Sequence, residues 1–255
     1  MSNGAATGPK GAVRPLGTGL HAHVLDRLGT AIAGGSLEVG TVLYIDDLMA
    51  KYSVSRPVIR ECLRVLSSMG LVASRRRVGT VIRPTAAWNV FDPQVIRWRL
   101  ASDARGAQLR SLTELRAAIE PEAARLAATR ADLSEGSALV GLAARMWTAG
   151  KEGDLETFLA LDIEFHHLVL AGSGNEMFLK LSELVGEVLS GRHEYGLMPG
   201  HPDDEALTLH ADVAQAIHRR DEVRACDAMR QITVQALDEM GGIWAQTTGH
   251  PIADE

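Results

Sequence analysis

Two histidines and an aspartate, each on a helical pattern that is otherwise apolar, are the side chains of this sequence best suited to chemistry. Asp162 and His166 lie four residues apart within 154–171, so they share one face of a predicted helix. His210 occupies a similar position in the pattern over 203–219. Because buried ionisable groups are unfavourable unless they are paired or metal-bound, three of them in one helical region indicate a site. Together they could bind one divalent ion, with water or ligand oxygens completing its coordination.

The same three residues are open to other interpretations. An inward-facing histidine is often a hydrogen-bonded core residue, and Asp162 with His166 could simply satisfy each other. A metal-dependent hydrolase or lyase could also use Asp162, His166 and His210, although no separate general base or nucleophile constellation accompanies them in the sequence. Spacing alone leaves these alternatives open.

A row of arginines forms a second group of functional side chains. Arg56, Arg60 and Arg64 are four residues apart, so on a helix they share one face and can reach phosphates or guanine edges in a major groove. Residues 51–84 contain eight basic side chains and one acidic side chain, a net charge of +7, whereas the whole chain carries −6. A basic module in an acidic chain indicates that one domain binds duplex DNA.

The apolar pattern around those arginines predicts a helix-turn-helix. Apolar residues recur at helical spacing over 45–49 and again over 59–69. Between them, Ser55 is suited to the N-cap of the second helix and Pro57 to its first turn. A short two-stranded pattern over 74–82 then predicts a wing, whose basic turn could lie on the DNA backbone or enter a minor groove.

Strand signals are nearly absent after residue 84. Amphipathic patterns joined by short polar or glycine-containing connections predict an antiparallel helix bundle there. Its six predicted helices span 107–130, 134–149, 154–171, 175–195, 203–219 and 221–243. The predicted fold class is therefore mainly α, with an N-terminal winged helix-turn-helix and a C-terminal all-α antiparallel helix bundle.

These patterns also predict the domain organisation. It comprises a disordered tail at 1–19, the winged helix at 20–84, a linker at 85–106, the helical domain at 107–243 and a second tail at 244–255. The linker is expected to contain a short helix that docks Val95, Ile96 and Trp98 on the next domain. Cys62 and Cys226 fall in different domains, so we expect no disulfide and a reducing cytoplasm. No apolar run is long enough to span a bilayer, and no membrane partner is expected.

The region from 55 to 81 resembles the winged-helix signature of GntR-type bacterial regulators. Residues 55–63 read Ser-Arg-Pro-Val-Ile-Arg-Glu-Cys-Leu, similar to the family pattern Ser-Arg-x-x-Val-Arg-Glu-Ala-Leu, and Gly-Leu-Val and Gly-Thr-Val follow. The resemblance implies base contacts for Arg56 and Arg60, a capping and phosphate role for Ser55, and a wing-tip role for Gly79 and its neighbours. The full implied DNA-binding set is Ser55, Arg56, Pro57, Arg60, Arg64, Arg76, Arg77, Gly79 and Thr80. Where the family often has a Glu-Arg pair, this chain has Asp46-Asp47.

The helical domain resembles the FCD effector-binding domain of the FadR branch of these regulators. Asp162-x-x-x-His166, with Asn175 beyond it, is similar to that domain's Asp-x-x-x-His motif and downstream asparagine, and His210 matches a third ligand. The resemblance implies a divalent metal, Zn or Mn/Ni, at Asp162, His166 and His210. In metal-binding members a fourth ligand, a histidine, lies 22 residues past the third, where this chain has Ile232.

The effector implied by the resemblance is a small organic acid. Arg116 matches a family arginine that reaches the pocket, and a guanidinium suits a carboxylate. An ion pair with Glu120, four residues on, is the alternative role for Arg116. The implied effector-binding residues are Arg116, Asp162, His166 and His210. The stretch over 88–98 further resembles members that respond to galactonate and related sugar acids.

Together these features predict a ligand-responsive transcription regulator rather than an enzyme. We expect a repressor that acts as a homodimer and presents two winged helices to a near-palindromic double-stranded operator. Its effector would release it from the DNA. An acyl-CoA-responsive regulator is the rival within the same class, and the polar side chains at Asp162 and His166 argue against it.

Overall fold

The computed structural model describes residues 19–196 and 202–248 and divides the chain into two compact units, Met1–Arg105 and Gly106–Glu255. The predicted fold class is confirmed, since the chain is mainly helical and the strands within the described ranges all lie between 42 and 82. The predicted tail over 1–19 falls outside the described residues except for its last residue. None of the described helices combines the length and apolar character that a membrane span requires.

The N-terminal unit is a helix-turn-helix with a three-stranded sheet. Its strands pair antiparallel in the order β1-β3-β2. The strand β1 was missed by the sequence analysis because two residues are too few to show an alternating pattern. The elements are α1 (Leu20–Ala33), β1 (Val42–Leu43), α2 (Ile45–Tyr52), α3 (Arg56–Ser68), β2 (Val72–Arg75), β3 (Gly79–Ile82), a 3-10 turn (Thr85–Ala87) and α4 (Pro93–Leu100).

The core of this unit is built from the apolar faces of α1 and α3. Leu28 of α1 and Ile59, Cys62 and Leu66 of α3 are all fully buried in one cluster. These α3 positions are spaced by three or four residues, so the arginines between them are directed to the opposite face of the helix. The same periodicity therefore buries one side of α3 and leaves its basic side available.

The helix α4, which the sequence analysis expected to dock on the next domain, packs on α1 within the N-terminal unit. Val95 and Trp98 are fully buried in the cluster formed with α1. The indole Nε1 of Trp98 donates a hydrogen bond to Asp26 Oδ1 over 3.1 Å, and Gln94 Nε2 donates to the same oxygen over 2.9 Å. A Cβ at Gly29 would lie 2.2 Å from the Trp98 ring, so only a glycine leaves room for it. The apolar face of α4 did not reveal which surface would offer this fit.

The C-terminal unit is the predicted antiparallel bundle with two changes. The expected helix over 175–195 is two helices that meet at Leu181, where neither glycine nor proline marks the break. The last helix continues five residues past the predicted end at 243, so the beginning of the expected tail is helical, and residues 249–255 lie outside the described residues. The helices are α5 (Arg105–Arg130), α6 (Leu133–Glu152), α7 (Leu155–Gly172), α8 (Glu176–Lys180), α9 (Ser182–Glu194), α10 (Asp204–His218) and α11 (Glu222–Thr248).

An extensive apolar core holds this bundle together. Met146 of α6, Phe165 of α7, Val213 of α10 and Met229 of α11 are fully buried in one cluster. At full burial each such side chain contributes roughly 1.5–3 kcal/mol relative to exposure. This surrounding core lets the bundle accommodate the polar side chains described below.

Candidate functional site

The exposed face of α3 carries the three arginines that the sequence analysis selected. Arg56, Arg60 and Arg64 are all exposed. Arg56 forms an ion pair with Asp46 of α2, and Arg64 Nε donates to Glu61 Oε2 over 2.9 Å. Within the described ranges Arg60 has neither an ion pair nor a side-chain hydrogen bond. Its guanidinium is therefore the least engaged of the three on this face.

The start of α3 follows the prediction for Pro57 but not for the side chain of Ser55. Pro57 lies in the first turn, where its missing N–H costs nothing. Ser55 occupies the N-cap position, but its side chain makes no cap hydrogen bond, and the cap prediction for that side chain is therefore wrong. Its carbonyl oxygen instead accepts from the backbone N–H groups of Val58 and Ile59. The exposed hydroxyl is not committed to capping.

The wing is the hairpin of β2 and β3, and its tip is the turn at residues 76–78. Arg76 and Arg77 are exposed there, with Arg77 in the left-handed region at φ 66°. Gly79 pairs with Arg75 at the base of the turn, so it begins β3 and does not form the tip. At φ 123° a side chain at Gly79 would be strained, and its Cβ would lie 3.0 Å from a methyl group of Val42.

Thr80 lies inside the sheet and not at the tip of the wing. It pairs with Leu43 of β1 on one side and with Ser74 of β2 on the other, and it is half-buried. Within the wing, the arginines of the turn are therefore better placed for a nucleic-acid contact than Gly79 and Thr80, which shape the hairpin.

In the C-terminal unit, the two histidines and the aspartate converge as predicted. Asp162 Oδ1 lies 3.3 Å from His166 Nε2 and 3.2 Å from His210 Nε2. One ligand atom from each residue falls within 4.8 Å of the others, and all three side chains are buried. The helix α7 carries Asp162 and His166, and α10 brings to them His210, which lies 44 residues beyond His166 along the chain.

The hydrogen bonding of His210 fits a cation at this cluster. His210 Nδ1 lies 2.7 Å from the carbonyl oxygen of Ala206, an arrangement that requires Nδ1 to carry a proton and donate. In the neutral ring, Nε2 then presents a lone pair toward Asp162, and two electron-rich atoms facing each other are stabilised by a proton or a metal ion between them. The family's fourth ligand position, Ile232, lines the cavity beside the cluster. The donor set therefore fits a divalent ion with three protein ligands and open coordination positions.

A buried ion pair lies next to this cluster. Arg116 Nε donates to Glu120 Oε1 over 2.8 Å and Arg116 Nη2 donates to Glu120 Oε2 over 3.3 Å. Arg116 lines the cavity as predicted, and it also makes the Glu120 pair that was its alternative role. His166 Nδ1 lies 3.0 Å from Glu120 Oε2, but the two groups are not aligned as a hydrogen bond.

Attraction between neighbouring groups shifts the pKa values of these buried side chains. Burial disfavours the ionised form of Glu120, but Arg116 and His166 outweigh it and lower the pKa of Glu120 to about 2. Burial likewise acts to lower the pKa of His166, but Glu120 and Asp162 raise it to about 9. Burial opposes the charge of Asp162 too, but the adjacent His166 and His210 hold its pKa below the usual range. The two buried carboxylates therefore stay ionised beside the arginine and histidine side chains that surround them.

Arg192 is a functional candidate that the sequence analysis missed. It is buried on α9 and lines the same cavity as Arg116. Its Nη2 donates to Glu239 Oε2 over 2.6 Å, whereas its Nε has no hydrogen-bond partner among the described residues. The signal was available in the sequence, because Val185, Leu189 and Arg192 follow the spacing of one inward helix face. A buried arginine on such a face indicates a site.

The cavity between these side chains has a volume of about 180 Å³. Its wall combines apolar residues of α7, α9 and α11 with the polar groups described above. Asn175, which the family motif includes, does not belong to this wall but caps α8, where its Oδ1 accepts from the Met177 N–H over 3.0 Å. The polar and charged residues that line the cavity include Arg116, Asp162, His166, Arg192, His210 and Glu239.

Comparison with known proteins identifies the family. Residues 20–82 match the family described as "Bacterial regulatory proteins, gntR family", and residues 111–235 match the FCD domain. This chain belongs to the GntR family of regulators with an FCD domain. It is therefore a DNA-binding transcription regulator and not an enzyme, and the hydrolase or lyase alternative is wrong.

Two relatives from Escherichia coli strain K12 align along most of the chain. The galactonate operon transcriptional repressor is 28% identical over 196 residues, which cover 76% of this chain and 85% of that protein. The HTH-type transcriptional regulator YieP is 26% identical over 208 residues, covering 80% and 89%. Among solved structures, Lar, which controls expression of the Listeria monocytogenes agr system, is 14% identical with a TM-score of 0.54 and covers 89% of this chain and 98% of its own. That similarity concerns the fold alone.

Proposed function

We propose that this regulator is a cytoplasmic repressor that binds its operator as a homodimer and is released by a small organic acid. The observation that supports the effector is the cavity of about 180 Å³, which places two buried arginines around the Asp162, His166 and His210 cluster. Guanidinium groups bind carboxylates, and the polar cluster suits the hydroxyl oxygens of a sugar acid. A related protein is named a galactonate operon repressor, which makes galactonate the first compound to test.

The DNA-binding residues that we propose lie on α3 and the wing. Arg56, Arg60 and Arg64 would enter the major groove with the exposed face of α3, and Ser55 would contact a phosphate at its start. Arg76 and Arg77 would reach the backbone or minor groove, with Gly79 and Thr80 shaping the hairpin. Two copies in a homodimer would read half-sites about one helical turn apart.

We further propose that Asp162, His166 and His210 hold a divalent ion of the zinc, manganese or nickel class. When bound, such an ion coordinates oxygen atoms of an anionic ligand. Arg116, together with these three residues, would then orient the effector inside the bundle. The size of the cavity argues against the acyl-CoA alternative, because even drug-sized ligands occupy pockets of roughly 300–1,000 Å³.

The DNA-binding proposal is tested by exchanging the least engaged arginine of α3. Operator fragments are first selected from a random-sequence library with the purified protein, and affinities are then measured by fluorescence anisotropy. Arg60→Ala should weaken specific binding by about 5- to 150-fold for each half-site, the value of one good base contact. Arg145→Ala, an exposed arginine on α6, is the matched control. Equal affinities for the two variants would contradict the role of Arg60.

The effector proposal is tested by a thermal-shift screen of the intact protein. Galactonate, other aldonates, dicarboxylates and acyl-CoAs are compared with and without zinc, manganese or nickel. Compounds that stabilise the protein are then added to the operator complex. We expect a small acid to stabilise the protein and release the DNA. Release by an acyl-CoA, with no response to any small acid, would overturn the proposal.

A further inference from the structure

The two arginines of the cavity differ in how much of each guanidinium is already occupied. Glu120 engages both Nε and Nη2 of Arg116, which is the side-on, two-bond arrangement of an arginine with a carboxylate. Only Nη1 of Arg116 lacks a hydrogen-bond partner within the described residues. The edge of Arg116 best suited to an incoming carboxylate is therefore already taken.

The corresponding edge of the Arg192 guanidinium is only partly occupied. Glu239 engages only Nη2, over 2.6 Å, and the adjacent Nε is buried without a hydrogen-bond partner in the part of the chain that the structure describes. An unpaired buried N–H is unfavourable, and in a cavity-lining residue a ligand can satisfy it. A carboxylate on the Nε and Nη2 edge would make two bonds where Glu239 makes one.

The counter-ion of Arg192 can leave without becoming a buried charge. The Glu239 side chain is 29% exposed, whereas that of Arg192 is 6% exposed. Glu239 can therefore turn toward water when another anion takes its place, and the cost of that exchange stays low. Glu120 lacks this freedom, because its side chain is fully buried beside Arg116.

We propose that Arg192, rather than Arg116, grips the carboxylate of the effector, and that Glu239 is the counter-ion it displaces. This inference rests on the proposed function, since it assigns one residue to the small organic acid. Arg116 then serves to hold Glu120 and His166, whose Nε2 lies 3.3 Å from Arg116 Nη2, and it contributes at most its Nη1 to the ligand. Occupancy of the cavity breaks an ion pair between α9 and α11, so the last helix is the first element to lose a contact when effector binds.

The test compares carboxylates with their neutral analogues on the intact protein. Isothermal titration calorimetry with galactonate, gluconate, glycerate and succinate is set against galactitol and glycerol. The wild type is compared with Arg192→Gln, Arg192→Lys and Glu239→Gln. Arg230→Gln is the matched control, because Arg230 also pairs with a carboxylate, Asp227, but on the surface of α11.

We expect Arg192→Gln to weaken the binding of the preferred carboxylate by about 10- to 100-fold, as for the loss of hydrogen bonds to a charged group. Arg192→Lys keeps the charge but lacks the planar edge of a guanidinium, so it should weaken carboxylate binding measurably, but less than Arg192→Gln does. Glu239→Gln should strengthen binding several-fold, because it removes the competing anion. Far-UV circular dichroism and the gel-filtration elution volume should match the wild type in all variants, which shows that each one is folded.

Three outcomes would overturn this assignment. If Arg192→Gln binds the carboxylate as the wild type does, Arg192 has no such role, while the organic-acid effector stands. If Glu239→Gln weakens binding, Glu239 positions Arg192 and does not compete with the ligand. If the wild type prefers no carboxylate over its neutral analogue, the proposed function itself falls, and the role of Arg192 falls with it.

Discussion

Replacing one buried carboxylate should reveal how strongly the ion-pair network stabilises the bundle. Glu120 and Glu122 both lie on α5 and both pair with an arginine, over 2.8 Å to Arg116 and 2.7 Å to Arg125. The first pair is fully buried, whereas Glu122 and Arg125 are partly exposed to water. Glu120→Gln and Glu122→Gln therefore make the same chemical change in two different surroundings.

The magnitude follows from the charges around Glu120. Although burial disfavours its ionised form, Arg116 and His166 lower the pKa of Glu120 from 4.5 to about 2. Each pKa unit is worth about 1.4 kcal/mol, so this lowering of the pKa corresponds to roughly 3 kcal/mol of unfolding free energy. That agrees with the roughly 3–5 kcal/mol lost when one partner of a buried pair is removed. For a unit of this size, about 3 kcal/mol lowers Tm by roughly 6–12 °C.

The assay is scanning calorimetry of the intact protein, supported by urea unfolding, at pH 7 and at lower pH. Because the pKa of Glu120 is lower in the folded state, its contribution is complete above about pH 4.5 and is lost as the pH falls toward 2. The difference in unfolding free energy between the wild type and Glu120→Gln should therefore become smaller as the pH is lowered. Glu122→Gln should cost about 1 kcal/mol or less at any pH. A Glu120→Gln variant as stable as Glu122→Gln would refute the reasoning.

Two further substitutions test the packing of α4 and the metal proposal. Gly29→Ala should destabilise the N-terminal unit by about 1–3 kcal/mol in urea unfolding, because its Cβ would lie 2.2 Å from the Trp98 ring. The control is Gly141→Ala, whose Cβ would have no atom within 4 Å and which should stabilise α6 by about 1 kcal/mol. A neutral Gly29→Ala would contradict the packing. Ile232→His should raise zinc affinity at least about tenfold in competition with a chromogenic chelator, because it adds an imidazole to the cavity wall. Unchanged affinity would argue against a metal at this cluster.

The outline of the fold was accessible from the sequence because it depends on local periodicity. The spacing of Ile59, Cys62 and Leu66 predicted the buried side of α3 and hence the exposure of Arg60. The break at Leu181 was not accessible, because no glycine or proline stands there. Local patterns report which side of a helix is apolar, and they do not report where a helix is interrupted without a glycine or proline.

The candidate site, too, could be predicted only in part from the sequence. The spacing of Asp162 and His166, together with the inward position of His210, was enough to predict their convergence. Arg192 was overlooked although its spacing was informative, because an arginine on an apolar face is commonly assumed to extend to water. It pairs with Glu239, 47 residues further along the chain, and no local pattern predicts such a pair.

The sequence by itself determined the family, the helical character of both units and the side chains that could do chemistry. These features depend on residue type and short-range spacing, which are fixed along the chain. The tertiary structure alone decided that Trp98 packs on α1 and that Glu120 occupies the Nε and Nη2 edge of Arg116. It also decided that Arg192 Nε has no hydrogen-bond partner among the described residues, beside a partly exposed Glu239. Such contacts depend on which helix faces meet, and that choice is made by the packing of the whole chain rather than by any segment of it.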